Sequence, residues 1–163
     1  MVVVVRLMAV PEVAKQTFKI EGLKELDEAL KELPKATSRN ILRRTLIAQG
    51  EPIRADGERN APKDKGGLKA SYTIGTKLSR RQKSQNKKES DVEIYIGPGP
   101  HAKGVQTEFG NAHQAPHPHL RPAFDANVKR VLDGIKNELA DQIEKARERL
   151  ARKAAKILAK MNK

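Results

Sequence analysis

"QAPHPHLRPAFD", residues 114–125, is the stretch on which the fold turns. It holds three prolines within seven residues, two histidines around Pro118, and the first turn of a long amphipathic run. Two readings compete for it. Histidines on a stiff segment can hold a metal, and prolines ahead of a helix can seat that helix. The second explains more of the residues. Proline pre-sets φ and pushes its neighbours into extended conformations, so the strap has few states to lose on folding. Pro122 suits the first turn of a helix, where its missing N–H costs nothing. Leu120 and Phe124 anchor the helix start, and Asp125 complements the positive end of the helix dipole. The expectation is that Phe109, Leu120 and Phe124 are buried and that Arg121 pairs with a carboxylate or with carbonyl groups.

Working outward, the apolar positions after Pro122 are Phe124, Val128, Val131, Ile135, Leu139, Ile143, Ala146, Leu150, Ala154, Ile157 and Met161. Their mean spacing is close to the period of a straight helix rather than a heptad coiled coil. Such a helix reaches about 60 Å at ~1.5 Å per residue, longer than any core this chain can build. Its distal half is expected to meet another subunit or to fray. Gly134 could mark a bend.

Upstream, "TFKIEGL" (17–23) alternates as a short strand. In "LKELDEALKELP", Leu23, Leu26, Leu30 and Leu33 share one helix face until Pro34 stops it. A second helix follows, capped by Thr37 or Ser38, with Ile41, Leu42, Thr45 and Ala48 inward. Gly50 and Pro52 interrupt it, and a further turn or two runs to Ala61. "LKASYTIGTKL" (68–78) and "DVEIYIG" (91–97) read as two strands of a hairpin, the second with Val92, Ile94 and Ile96 on one face. Between them "SRRQKSQNKKES" (79–90) has no apolar residue and reads as a mobile loop. "VQTEFG" reads as a brief strand with Val105, Thr107 and Phe109 on one side. The fold class expected is α+β: a small antiparallel sheet, N-terminal helices packed against it, and a long C-terminal helix. The divisions expected are an arm over 1–16, an α+β domain over 17–140 and a basic helical extension over 141–163.

Composition narrows the functions. Hydrophobic residues make up 37% of the 163 and aromatics 3%, with no tryptophan, so the core is aliphatic and gains from association with further copies. There is no cysteine, hence neither disulfide nor thiolate chemistry. The opening "MVVVVRLMAV" lacks the basic n-region of a signal peptide and is too short to cross a membrane. It reads as a strand or an arm packed on something. No "GxSxG", "HExxH" or Walker-type loop occurs, so no catalytic residue is assigned. His113, His117 and His119, with His101 before them, follow no standard ligand spacing. No metal and no cofactor are expected, and these histidines read as incidental to a surface loop.

The net charge is +13. One concentration lies in the 79–90 segment, at Arg80, Arg81, Lys83, Lys87 and Lys88, and the other runs from Lys145 to Lys163. Charge of this size can neutralise phosphates without reading sequence, or can simply keep a surface solvated. Neither patch holds an aromatic residue for base stacking.

Four segments taken in order also carry a resemblance: "FKIEGLKELDEALKELP", "AP…GGLKASYTIG", "VEIYIGPG" and "TEFGNAHQAPHPHLRPAFD". Together they resemble the neck, or tail-completion, protein family of long-tailed bacteriophages, over about residues 17–140. Phe109-Gly110 and Pro118 to Ala123 match that family's "FG" pair and proline strap, with His119 where the family usually has an aromatic. Pro52, the valine-rich N-terminus and the basic stretch after about residue 140 depart from it. The resemblance implies a non-enzymatic structural protein of the virion, assembled in the host cytoplasm. It implies a ring, most often a hexamer, between the capsid connector and the tail. The partners implied are further copies of the chain, head-closure proteins, and tail terminator or tail tube proteins. Phe109, Gly110, Pro118, Leu120, Arg121, Pro122 and Phe124 would carry subunit contact. Arg80, Arg81, Lys83, Lys87 and Lys88 would face the lumen, genomic DNA or an acidic neighbour. No membrane is implied. A tail terminator and a nonspecific DNA-binding basic protein are the alternative readings.

Overall fold

The computed structural model describes residues 4–7, 22–63, 66–101 and 103–161. Residues 8–21, including the expected strand at Phe18 and Ile20, lie outside the described residues. The elements in order are β1 (Val4–Leu7), α1 (Leu23–Lys31), α2 (Lys35–Asn60), α3 (Gly67–Ala70) and β2 (Tyr72–Gly75). After them come α4 (Arg80–Gln85), β3 (Glu93–Pro98), α5 (Lys103–Phe109) and α6 (Leu120–Met161). The fold is α+β, with a long C-terminal helix as the periodicity requires.

α2 is the central element. Pro34 separates it from α1 and stands at its N-cap position, so neither Thr37 nor Ser38 caps it. It then runs 26 residues through both expected breaks, Gly50 and Pro52. The geometry explains why. At about 100° per residue, Gly50, Ile53 and Gly57 share one face with Leu46, while Ala48 and Pro52 point the other way. Proline leaves the carbonyl four residues back without its donor. That residue is Ala48, which is exposed rather than inward, so solvent can satisfy the carbonyl and the helix persists.

On the buried face, small residues let the helix approach the sheet. A Cβ on Gly50 would stand 2.6 Å from Ile74 Cδ1 and 2.8 Å from Ile96 Cδ1. A Cβ on Gly57 would stand 2.5 Å from Tyr72 Cε1. The Tyr72 ring is held at its far end, as described below, so it cannot retreat easily. Gly57→Ala is therefore expected to cost about 1–3 kcal/mol, although alanine is the better helix former by about 1 kcal/mol. Urea denaturation measures it. An unchanged or raised midpoint would mean the Tyr72 ring is free to move.

β3 lies in the middle of a three-stranded sheet of order β1-β3-β2. β2 pairs antiparallel with β3, Ile74 opposite Ile96, as the hairpin reading requires. β1 pairs parallel with β3, Val5 opposite Ile94, so the sheet is mixed rather than purely antiparallel and the arm contributes a strand. The helical turn α3 replaces the first residues of the expected 68–78 strand. Ile94 and Ile96 are fully buried, in one core cluster with Ile53 and Leu46 of α2 and Leu139 and Ile135 of α6.

α6 packs along α2 beside the sheet-facing residues, with Gly134 against Gln49 and the Asn127 amide donating to Asp56. The apolar stripe is buried from Leu120 to Ala146 and then emerges: Leu150, Ile157, Leu158 and Met161 are exposed. Gly134 does not end or divide the helix. Two further corrections concern short segments. Residues 103–109 form the helix α5, not a strand, with Gly104, Thr107 and Glu108 buried and Val105 exposed. The basic 79–90 segment is not a featureless loop, because Ser79 and Gln82 form a capping box that opens α4. Among the described residues no helix is long and apolar enough to cross a membrane.

Candidate functional site

A helix as long as α6 has four N–H groups at its start with no partner inside the helix. Ser, Thr, Asp or Asn ordinarily supplies one just before the first turn. Here that position is His119, which cannot do so. The carboxylate comes instead from Glu108, eleven to thirteen residues upstream. The N–H groups of His119 and Leu120 donate to Glu108 Oε2 at 2.8 and 2.9 Å, and that of Arg121 donates to Oε1 at 2.9 Å. Negative charge at this end also suits the helix dipole.

The strap brings the two segments together. At Gly110 the backbone adopts φ 76°, and a Cβ there would stand 2.8 Å from the Gln114 carbonyl oxygen and 2.9 Å from Pro116 N. Only glycine fits both constraints. A tight turn follows, in which Asn111 and Gln114 exchange backbone hydrogen bonds, and His117 N–H donates to the Thr107 carbonyl at 2.7 Å. The chain thus doubles back on α5, facing Glu108 toward the first turn of α6.

Behind the carboxylate lies a buried ring pair. His119 is fully buried, its imidazole edge-on to Tyr72 with ring centroids 5.7 Å apart, so it fills the place of an aromatic residue. The Tyr72 hydroxyl and His119 Nδ1 share a hydrogen bond, and Nδ1 lies 3.4 Å from Glu108 Oε2. Nε2 is buried without a hydrogen bond of good geometry. Tyr72, His119 and Glu108 form one buried group whose titration the surroundings shift. Burial first, and the charge of Glu108 second, raise the Tyr72 hydroxyl well above its ordinary range and keep it protonated. Burial also lowers the His119 imidazole from its ordinary 6.5, against the opposing pull of Glu108 and of the Gly104 backbone. The cluster is built to hold α6 in place.

A pH dependence follows. The unfolded chain takes up a proton on His119 near 6.5, whereas the folded chain does so only at lower pH. The stability linked to this group is therefore complete above about 6.5 and is lost as pH falls below it. Melting curves at pH about 7.5 and about 5.5 should show a drop in the wild type that is smaller in His119→Gln. An equal drop in both would remove His119 as the cause.

The expected strap residues divide. Leu120 is buried and Phe124 half-buried against the core. Phe109 is 38% exposed rather than buried, because α5 turns it outward. Pro118, Pro122 and the Arg121 side chain are exposed; Arg121 meets the carboxylate through its backbone N–H alone. His113 and His117 are exposed, but His119 is an integral core residue, not an incidental loop histidine. Among the described residues no group of three or more His, Asp or Glu side chains is placed to hold a metal ion. Sequence reasoning missed Glu108 and Tyr72. The available signal was the missing local cap before Leu120.

The basic segment forms a second feature. Arg80, Arg81 and Lys83 lie on α4, and Lys87 and Lys88 follow it; Arg80, Lys83, Lys87 and Lys88 are exposed. α4 is tied to the sheet: Asn86 donates to the Tyr95 hydroxyl at 2.9 Å, and that hydroxyl donates to Glu93 Oε2 at 2.6 Å. The N–H groups of Glu89 and Ser90 donate to Glu93 Oε1 at 2.7 and 3.1 Å. Burial alone would raise the Glu93 carboxyl, but these donors outweigh it and bring it down to about 2. A hollow of about 520 Å³ opens beside this network, with Arg43, Lys77, Lys83 and Lys88 at its walls.

Comparison with protein-family models, curated proteins and solved structures returns no significant match.

Proposed function

We propose that the chain is a non-enzymatic structural subunit of a long-tailed phage virion. In this reading it assembles in the host cytoplasm as a homo-hexameric ring at the head–tail junction and joins the capsid connector to the tail. Its partners are further copies of itself, head-closure proteins, and tail terminator or tail tube proteins, with nonspecific contact to genomic DNA.

The observation that carries the proposal is the seating of α6. The segment that resembles the neck family's "FG" pair and proline strap folds as a rigid socket for this one helix, through Gly110, Glu108 and His119. The helix so fixed extends beyond its own core with Leu150, Ile157, Leu158 and Met161 exposed. A continuous apolar stripe held out from a domain is a surface made for a neighbour. The same stripe on every subunit meeting a different surface on the next gives a head-to-tail contact, which closes into a ring when the rotation permits.

Negative-stain electron microscopy of the purified protein tests this. Closed rings with a central opening are expected, and separate globular particles at micromolar concentration would refute it. The tail terminator reading shares the ring and differs only in its neighbours. The DNA-binding reading gains from the basic hollow, which is compatible with either position.

A further inference from the structure

The hollow beside α4 collects cations from four separate places in the chain. Arg43 comes from α2, Lys77 from the segment after β2, Lys83 from α4, and Lys88 from the approach to β3. Among the described residues none of the four takes part in an ion pair or a side-chain hydrogen bond. Two carboxylates, Asp91 and Glu93, also line the hollow, and both are already engaged. Asp91 pairs with Arg39 at 3.3 Å and Lys35 at 4.0 Å, and Glu93 is saturated by Tyr95 and the Glu89 and Ser90 N–H groups. Four cations against two carboxylates around one concavity, on a wall stiffened by the Asn86–Tyr95–Glu93 chain, leave the site with an excess of positive charge.

From this convergence we infer that the hollow binds the phosphodiester backbone of duplex DNA, deepening the DNA contact included in the proposed function. Bases have nothing to stack on, because Tyr95 is buried and its hydroxyl engaged, and the chain has no tryptophan. Backbone charge is what such a surface can recognise, and a duplex presents it most densely.

The test is fluorescence anisotropy of the full chain with a short mixed-sequence duplex over a salt series. Arg43→Gln/Lys77→Gln/Lys83→Gln/Lys88→Gln is compared with Arg149→Gln/Arg152→Gln/Lys153→Gln/Lys156→Gln, which removes equal charge from the distal end of α6. All eight side chains are exposed, so both variants should fold. The hollow variant is expected to lose at least about tenfold in affinity, with the slope of log K against log salt reduced by about three to four. The α6 variant should lose less and keep most of its slope. In the wild type, bound duplex should shield Lys77, Lys83 and Lys88 from acetylation, read by peptide mass spectrometry, and leave Lys153 and Lys156 reactive. Equal losses in the two variants, or unshielded lysines in the hollow, would overturn the site. Tighter binding of polyglutamate than of duplex at the same salt would also overturn it, assigning the hollow to an acidic protein. Oligomeric mass, measured in parallel, keeps the two proposals apart. A monomer whose hollow binds DNA retains the site and loses the ring; a ring whose hollow ignores DNA retains the ring and loses the site.

Discussion

Glu108→Ala destabilises the protein by about 3–5 kcal/mol, read from urea denaturation. The substitution removes one side chain but strands three N–H donors, on His119, Leu120 and Arg121, at a site that is almost entirely buried. Water cannot reach all of them, and each unanswered buried donor costs about 1–3 kcal/mol. Glu108→Gln keeps an acceptor oxygen and should recover part of the loss. If alanine and glutamine cost the same small amount, under about 1 kcal/mol, the first turn of α6 is not held as described.

Ending the chain after Ala146 should do the opposite: fold normally and fail to assemble. Every described residue from Arg147 onward is exposed, and Ala146 is the last buried residue of the stripe. The domain itself loses the Arg147–Glu32 pair at 2.5 Å, whose partners are exposed and which is worth at most about 1 kcal/mol. Melting should therefore barely move. Assembly, in contrast, loses Leu150, Ile157, Leu158 and Met161, each worth about 1.5–3 kcal/mol when fully buried against a neighbour. Two such contacts already account for a hundredfold or more in association. Sedimentation of the truncated chain as monomer supports this account. Rings from the truncated chain would show that the contact lies elsewhere.

What could be read from the residues alone follows from how local the signal is. α6 was legible because its stripe recurs over ten turns, and β3 because Val92, Ile94 and Ile96 alternate. The β2–β3 pairing was legible because the two strands are close in sequence. Pro52 misled because a proline's effect depends on which side of the helix it occupies, and that is set by the position of the sheet under Gly50 and Gly57. α5 misled because Val105, Thr107 and Phe109 alternate like a strand, whereas its buried residues are Gly104, Thr107 and Glu108. α4 left a usable trace, the "SRRQ" capping box, hidden in a stretch with no apolar residue. Glu108 left almost none. A cap supplied from eleven residues upstream obeys no spacing rule, and its only mark is the absence of a capping residue at His119. The cation hollow is likewise a product of folding, since Arg43 and Lys88 are far apart in sequence.

Native mass spectrometry of the purified full-length chain, at near-physiological salt, tests the central claim most directly. The account predicts a dominant species of six copies of the 18.1 kDa chain, converted to monomer by removal of the residues after Ala146. A full-length chain that remains monomeric across the accessible concentration range would contradict it.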